Sequence, residues 1–211
     1  MLIAARYNNG VNRLAITSGC VALCLLAACS APPPAAEKKT EPPPEPLTGL
    51  SALFHMYQVA RASWALDAQV VKMSSMRLDG LPSAPPGKAA AWEATFYSPS
   101  LGRERSYTDS IVELLPDLHK DVFAGPQQEF NGDSFPIAAV KKDTESAYQT
   151  ALAKAGKAAE RFAGKPVLIL IEKNVKYSDP AWRIVWGESV STAVISIFVD
   201  ASTGEYLDTP R

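Results

Sequence analysis

The apolar and polar residues of this chain are arranged so that one order of elements is predicted twice. In the first half, apolar side chains at helical spacing predict an amphipathic helix over residues 51–67. A short strand is predicted over residues 70–78, and residues 91–97 (AWEATFY) alternate as a half-buried strand does. Residues 103–112 predict a further, more polar strand, in which Glu104 is interpreted as a solvated residue of a strand edge.

The second half repeats this order. Asp143 is a suitable N-cap for a helix whose apolar stripe runs from Tyr148 to Phe162. Three strands are predicted after it, over residues 167–172, 181–186 and 193–200. In the two halves the alternating strands place matching side chains on one face, namely Trp92, Ala94 and Phe96 in the first and Trp182, Ile184 and Trp186 in the second.

These patterns predict an α+β fold in which helices pack on antiparallel sheet. Residues 47–113 form a first αβββ unit, residues 114–142 a connector rich in proline and glycine, and residues 143–211 a second αβββ unit. An internal duplication explains the repeated order. The alternative is one α+β domain whose strands resemble each other because amphipathic strands generally do.

The first 28 residues have the pattern of an export signal. Arg6 and Arg13 precede an apolar, uncharged run over residues 14–28, which is shorter than the roughly 20 residues of a membrane-spanning helix. The run ends in Leu26-Ala27-Ala28-Cys29, the lipobox pattern of bacterial lipoproteins. We therefore predict that residues 1–28 are removed and that Cys29 is acylated. Ser30, in place of aspartate, favours the periplasmic face of the outer membrane in a Gram-negative cell; in another cell the protein would be an extracytoplasmic, membrane-anchored one.

The cysteines and prolines agree with this interpretation. The chain has three cysteines, all at or before position 29, so a mature protein would keep no free thiol for a disulfide, a metal or nucleophilic catalysis. Residues 29–46 are interpreted as a tether, because residues 30–46 hold seven prolines and few apolar side chains. Such an extended tract reaches roughly 50 Å at about 3.1 Å per residue.

The net charge argues against two kinds of partner. The formal net charge is −1, and it becomes −3 when Arg6 and Arg13 leave with the signal. The chain therefore has neither the basic surface expected of a nucleic-acid-binding protein nor that of a polybasic membrane-binding one.

No constellation of residues identifies a reaction, a cofactor or a metal site. His55 is interpreted as a surface histidine or one with a satisfied hydrogen bond, and Asp117-x-His119-x-Asp121 as a chance grouping more than as metal ligands. Gly187-Glu188-Ser189 lacks the second glycine of a nucleophile elbow and predicts a turn between strands. No catalytic residue is predicted.

All four tryptophans fall on the apolar side of their elements, so core packing is the first interpretation. An alternative makes Trp186 and Gly187 a ligand-binding pair, lining a concave sheet face that holds an extended peptide.

Residues 180–207 contain Val199-Asp200-Ala201 followed by Thr203-Gly204-Glu205, and here the chain resembles the end of a PepSY-type domain. That family has a helix followed by three antiparallel strands; the resemblance covers residues 143–207, and the first half lacks the turn. It implies an extracytoplasmic, non-catalytic module, found in some propeptides that restrain thermolysin-like peptidases.

The sequence thus predicts a lipid-anchored binding or modulatory module, without catalytic activity, that engages a peptide, a protease or an envelope protein. Two other classes remain as alternatives: a cell-envelope hydrolase with an unidentified carboxylate site, and a structural subunit of an envelope complex.

Replacing the lipobox cysteine tests the predicted anchor. We expect Cys29→Ser to abolish lipid attachment, because the hydroxyl does not replace the thiol that accepts the lipid. Incorporation of a radioactive fatty acid into the full chain measures this. Equal label in the wild type and the variant would contradict the prediction.

Overall fold

The computed structural model of the chain describes residues 44–210, which form two α-helices and ten strands. Helix α1 is Gly49–Ser63 and helix α2 is Thr144–Ala155. Short 3₁₀ helices occupy Ile137–Ala139 and Gly156–Phe162. The strands in chain order are β1 Leu47–Thr48, β2 Gln69–Met76, β3 Lys88–Ala89, β4 Ala91–Ser98, β5 Arg103–Ser110, β6 Asp121–Glu129, β7 Val167–Glu172, β8 Ala181–Trp186, β9 Ile195–Asp200 and β10 Tyr206–Asp208.

Eight of these strands form one antiparallel sheet in the order β10-β9-β8-β7-β2-β4-β5-β6, while β1 and β3 pair separately. The predicted α+β class is therefore confirmed. The order is symmetric about the β2–β7 pair: on each side a helix is followed by a central strand and then by three strands further outwards. Each half thus has four sheet strands, one more than predicted.

Both helices cover the same face of the sheet and share one core. Leu53 and Met56 of α1 and Ala151 of α2 are completely buried in a cluster with inward side chains of the central strands. The six residues predicted to share a face all lie in this core: Trp92, Ala94, Phe96, Trp182, Ile184 and Trp186. The predicted strand register is confirmed, with Trp182 0% and Trp186 2% exposed.

The two helices begin beside each other, and side chains from the start of α2 cap both. The Asp143 carboxylate accepts hydrogen bonds from the amide of Thr144 in α2, at 2.7 Å, and from the amide of Leu50 in α1, at 3.0 Å. The Thr144 hydroxyl accepts from the amide of Gly49 at 2.8 Å and donates to the carbonyl of Gly87 at 2.5 Å. These bonds satisfy amides that a helix start leaves without partners.

Gly49 is required at this junction by space. A Cβ atom there would lie 2.4 Å from Cγ2 of Thr144 and just over 3 Å from the rings of both Trp182 and Trp92. The tryptophans are held in equivalent ways: Nε1 of Trp92 donates to the carbonyl of Leu47, and Nε1 of Trp182 to that of Lys142, each two residues before the first residue of its helix. The two halves therefore use the same device to fix helix to sheet.

Strand β6 lies in the segment predicted to be a connector, and that prediction is corrected here. The strand forms an outer edge of the sheet and is mostly exposed, so it lacks the apolar alternation that marks a strand in sequence. Its pairing with β5 shifts register around Gly125 and Pro126. Proline is tolerated at such a place because an edge strand need not donate every amide.

The end of the first helix also differs from prediction. Helix α1 ends at Ser63, four residues early, where the amides of Trp64 and Ala65 both bond to the carbonyl of Ala60.

Within residues 44–210, no helix is both long and apolar enough to cross a membrane. Cys29, the predicted signal peptide and most of the predicted tether lie outside the described residues.

The shared cap predicts that Asp143 stabilises both helices. An N-cap replaced by alanine typically costs about 1 kcal/mol, so Asp143→Ala should lower the free energy of unfolding by about 2 kcal/mol. Asp143→Asn is the matched control, because its amide oxygen still accepts. Chemical denaturation measures both. Equal losses in the two variants would show that capping is not what Asp143 contributes.

Candidate functional site

The face of the sheet that the helices leave uncovered is the candidate site. Because side chains alternate across a strand, residues between the core positions point to this opposite face. Towards β8 and β9 it is partly covered, since Tyr177 packs on Phe198 with ring centres 5.6 Å apart. Over β7, β2, β4, β5 and β6 a groove of about 330 Å³ remains.

The groove has a floor of short polar side chains and several charged residues around it. Ser74, Thr95 and Ser106 lie on neighbouring strands, joined through the pairing of β2 with β4 and of β4 with β5. The charged residues that line the groove are Lys72, Glu93, Glu104 and Glu172. Three carboxylates therefore face one ammonium group, which makes the groove acidic.

Glu104 corrects a prediction, because it is neither solvated nor at an edge. Strand β5 lies inside the sheet, between β4 and β6, and Glu104 is 8% exposed. One oxygen of its carboxylate, Oε1, accepts a hydrogen bond from Nε2 of Gln128 on β6, the residue that faces it in register. The sequence pattern missed this burial because β6, which provides the cover, was not predicted.

Glu172 is held by a neighbouring arginine. Nη1 of Arg183 lies 3.8 Å from Oε1 of Glu172, and Nε of Arg183 donates to the Ser196 hydroxyl at 2.6 Å. The guanidinium also lies over the ring of Phe198, 5.0 Å from its centre. Glu172 thus has a partial counter-charge, whereas Glu93 is exposed and has no ion pair among residues 44–210.

The predicted ligand-binding pair lies elsewhere. Trp186 is buried under the helices, with ring centres 5.8 Å from Tyr148 and 4.8 Å from Phe162. Core packing, the first interpretation, describes its surroundings. Gly187 follows at the end of β8, where φ is 150° and a Cβ would approach Cα of Ala193 to 2.8 Å. A ligand contact at either residue stays a prediction.

A second titratable cluster lies between α1 and β5, on the helix-covered face. Nδ1 of His55 is 3.0 Å from Oδ2 of Asp109, with side chains 49% and 5% exposed. Burial raises the pKa of Asp109; the hydrogen bond and charge of His55 oppose this, and the Asp121 carboxylate adds to it. The sequence could not pair these residues, which are 54 positions apart.

The D-x-H-x-D residues do not converge. His119 stacks on Phe123 with ring centres 4.1 Å apart, and its Nδ1 lies 3.4 Å from Oε1 of Glu113. Across the described part of the chain, no group of three or more His, Cys, Asp or Glu side chains is placed to hold a metal ion.

Comparison with protein-family models, with curated proteins and with solved structures found no match for the chain. Function must therefore be inferred from the two clusters themselves.

The burial of Asp109 predicts a pH effect on stability. Because its pKa in the folded chain lies above the 3.8 of an ordinary aspartate, the ionised form is disfavoured by folding. The contribution of Asp109 to the free energy of unfolding is thus fully present below pH 3.8 and is lost as pH rises through the raised pKa.

We expect the free energy of unfolding of Asp109→Asn, relative to wild type, to increase with pH across that range. Urea denaturation at a series of pH values measures it, with Asp117→Asn at an exposed position as the control for one altered charge. A difference between Asp109→Asn and wild type that is independent of pH would contradict the prediction.

Proposed function

We propose that this protein is a lipid-anchored extracytoplasmic binding module, and that it contacts its partner with the open face of the sheet. The observation that carries the proposal is the one-sided arrangement: two helices cover one face of an eight-stranded sheet, and a polar groove remains on the other. Antiparallel sheets commonly have one face packed on the core and the other in water, and the water-exposed face is available for contact with another molecule.

The leader and tether belong to this proposal. Acylation at Cys29 would fix the chain to a membrane, and the proline-rich tract would hold residues 47–211 away from it by up to roughly 50 Å. A PepSY-type second half would agree with a non-catalytic role. The turn that carries this resemblance is supported locally, since the Asp200 carboxylate accepts from the amides of Ser202 and Thr203, and Gly204 has φ of 81°.

The open face is a better contact surface than the sheet edges. Strand β6 is broken by the register shift near Gly125 and Pro126, and proline has no amide to donate to an added strand. Strand β10 at the other edge is only three residues long. Addition of a partner strand is therefore less well supported than contact through side chains of the groove.

A hydrolase of the cell envelope is the second candidate, favoured by the His55–Asp109 pair. A carboxylate on Nδ1 orients a histidine so that its other nitrogen can act as a base. Nε2 of His55 makes no hydrogen bond to a nucleophile among residues 44–210, which leaves the pair as a structural contact in the first proposal. Hydrolysis by the wild type that His55→Gln abolishes would replace the binding proposal with this one.

Site-specific crosslinking in intact cells tests the contact surface. The photoreactive residue p-benzoylphenylalanine replaces Lys72, an exposed residue of the groove, in the full chain. The matched control places it at Gln149, which is exposed on α2 on the helix-covered side. We expect a discrete crosslinked protein from position 72 and none from position 149.

Two results would contradict the proposal. The same products from both positions would indicate nonspecific proximity to abundant envelope proteins. Products from position 149 alone would place the partner on the helices.

A further inference from the structure

We propose that the groove binds a basic segment of the partner protein, and that Glu104 receives the ammonium or guanidinium group of one of its lysine or arginine side chains. This inference rests on the proposed function and specifies the chemistry of the partner.

Glu104 has an incomplete set of partners for a buried carboxylate. The residue is 8% exposed, and the only hydrogen bond to its side chain among residues 44–210 is the one from Gln128 to Oε1. Oε2 of Glu104 makes no hydrogen bond within residues 44–210. It is nevertheless not fully buried, because in that part of the chain the Tyr107 hydroxyl is the one fully buried side-chain oxygen or nitrogen without a partner. Since Glu104 lines the groove, Oε2 is open to the groove.

A cation is the ligand that this arrangement favours. An ionised carboxylate removed from water is costly unless a charge or several hydrogen bonds compensate it, and one neutral amide does so only in part. No lysine or arginine of the described residues lies within 4.0 Å of Glu104 to form an ion pair. An incoming ammonium or guanidinium group would supply both the charge and the hydrogen-bond donors.

The charged residues around Glu104 also favour a basic ligand. Glu93 is exposed and unpaired within residues 44–210, and Glu172 is only partly compensated by Arg183 at 3.8 Å. Lys72 is the one basic residue that lines the groove, so a negative excess remains and an acidic segment would be repelled.

The shape of the groove fits side chains of an extended segment. Its floor is made of the short residues Ser74, Thr95 and Ser106, which leave space between the longer charged ones. A volume of about 330 Å³ accommodates one or two long side chains, and not a folded domain. The remainder of the partner would lie on the sheet surface.

A peptide-binding experiment with charge-matched variants tests the inference. The full chain is purified in a non-ionic detergent, and a short fluorescein-labelled peptide of alternating lysine and threonine is titrated by fluorescence anisotropy. A second probe has glutamate in place of each lysine. We expect the wild type to bind the lysine probe and not the glutamate probe.

Glu104→Gln should weaken binding of the lysine probe about tenfold, because it removes the charge from the central contact. Glu93→Gln should weaken it by a smaller factor; as this residue is exposed, the variant is expected to fold normally. The matched control is Glu160→Gln, which changes the net charge equally at an exposed position on the helix-covered side. It should leave the affinity unchanged.

Three outcomes would overturn the inference: no binding of the lysine probe by the wild type, equal binding of both probes, or an equal loss of affinity in Glu160→Gln and Glu104→Gln. The last would indicate a bulk charge effect. A thermal denaturation curve of each variant shows whether a loss of affinity reflects unfolding. If Glu104→Gln is unfolded, the affinity of Glu93→Gln for the lysine probe decides whether the groove binds a basic segment. A failure here together with a specific crosslink from position 72 would leave the proposed open-face contact standing and reject only the basic partner.

Discussion

The convergence of the two helix starts is the constraint on which the rest of this structure depends. Asp143 and Thr144 cap α1 and α2 together, so the helices cannot be positioned independently of each other. Gly49 permits this contact because no Cβ fits between Thr144 and the two tryptophan rings. From this junction α1 packs on β4, β5 and β6, and α2 packs on β8, β9 and β10, so the two helices together cover one face of both halves of the sheet.

The pairing of β2 with β7, which joins the two halves of the sheet, is shorter than the pairing of either strand with its other neighbour. Strands β2 and β7 pair over only three residues, and beyond them the Ser75 hydroxyl accepts the amide of Ile169 at 3.0 Å. The two halves are therefore also joined by the contacts at the helix starts, where Asp143 and Thr144 bond to α1 and the rings of Trp92 and Trp182 pack around Gly49. On the opposite face, the buried apolar residues Val185 and Phe198 lie on β8 and β9, and the groove over β7, β2, β4, β5 and β6 is lined mainly by polar and charged residues.

The two clusters of titratable groups have different characters for the same reason. Asp109 lies on the covered face, where burial raises its pKa and His55 from the helix compensates it. Glu104 lies on the uncovered face, buried by its neighbours in the sheet and compensated by a single amide. The Asp109 carboxylate has a partner within the chain, His55, whereas the Glu104 carboxylate can still accept a partner from another molecule. The difference supports a binding role for the groove.

The sequence by itself determined the elements that bury a regular pattern of apolar residues. The tryptophan-bearing strands, their register and the Asp143 cap were predicted correctly because each depends on residues close together in the chain. Only the tertiary structure decided the rest. Strand β6 owes its place to pairing with β5 and not to apolar alternation, so the sequence carried no signal of it. The burial of Glu104 and the meeting of His55 with Asp109 depend on such long-range pairing, which places residues far apart in the chain on facing surfaces.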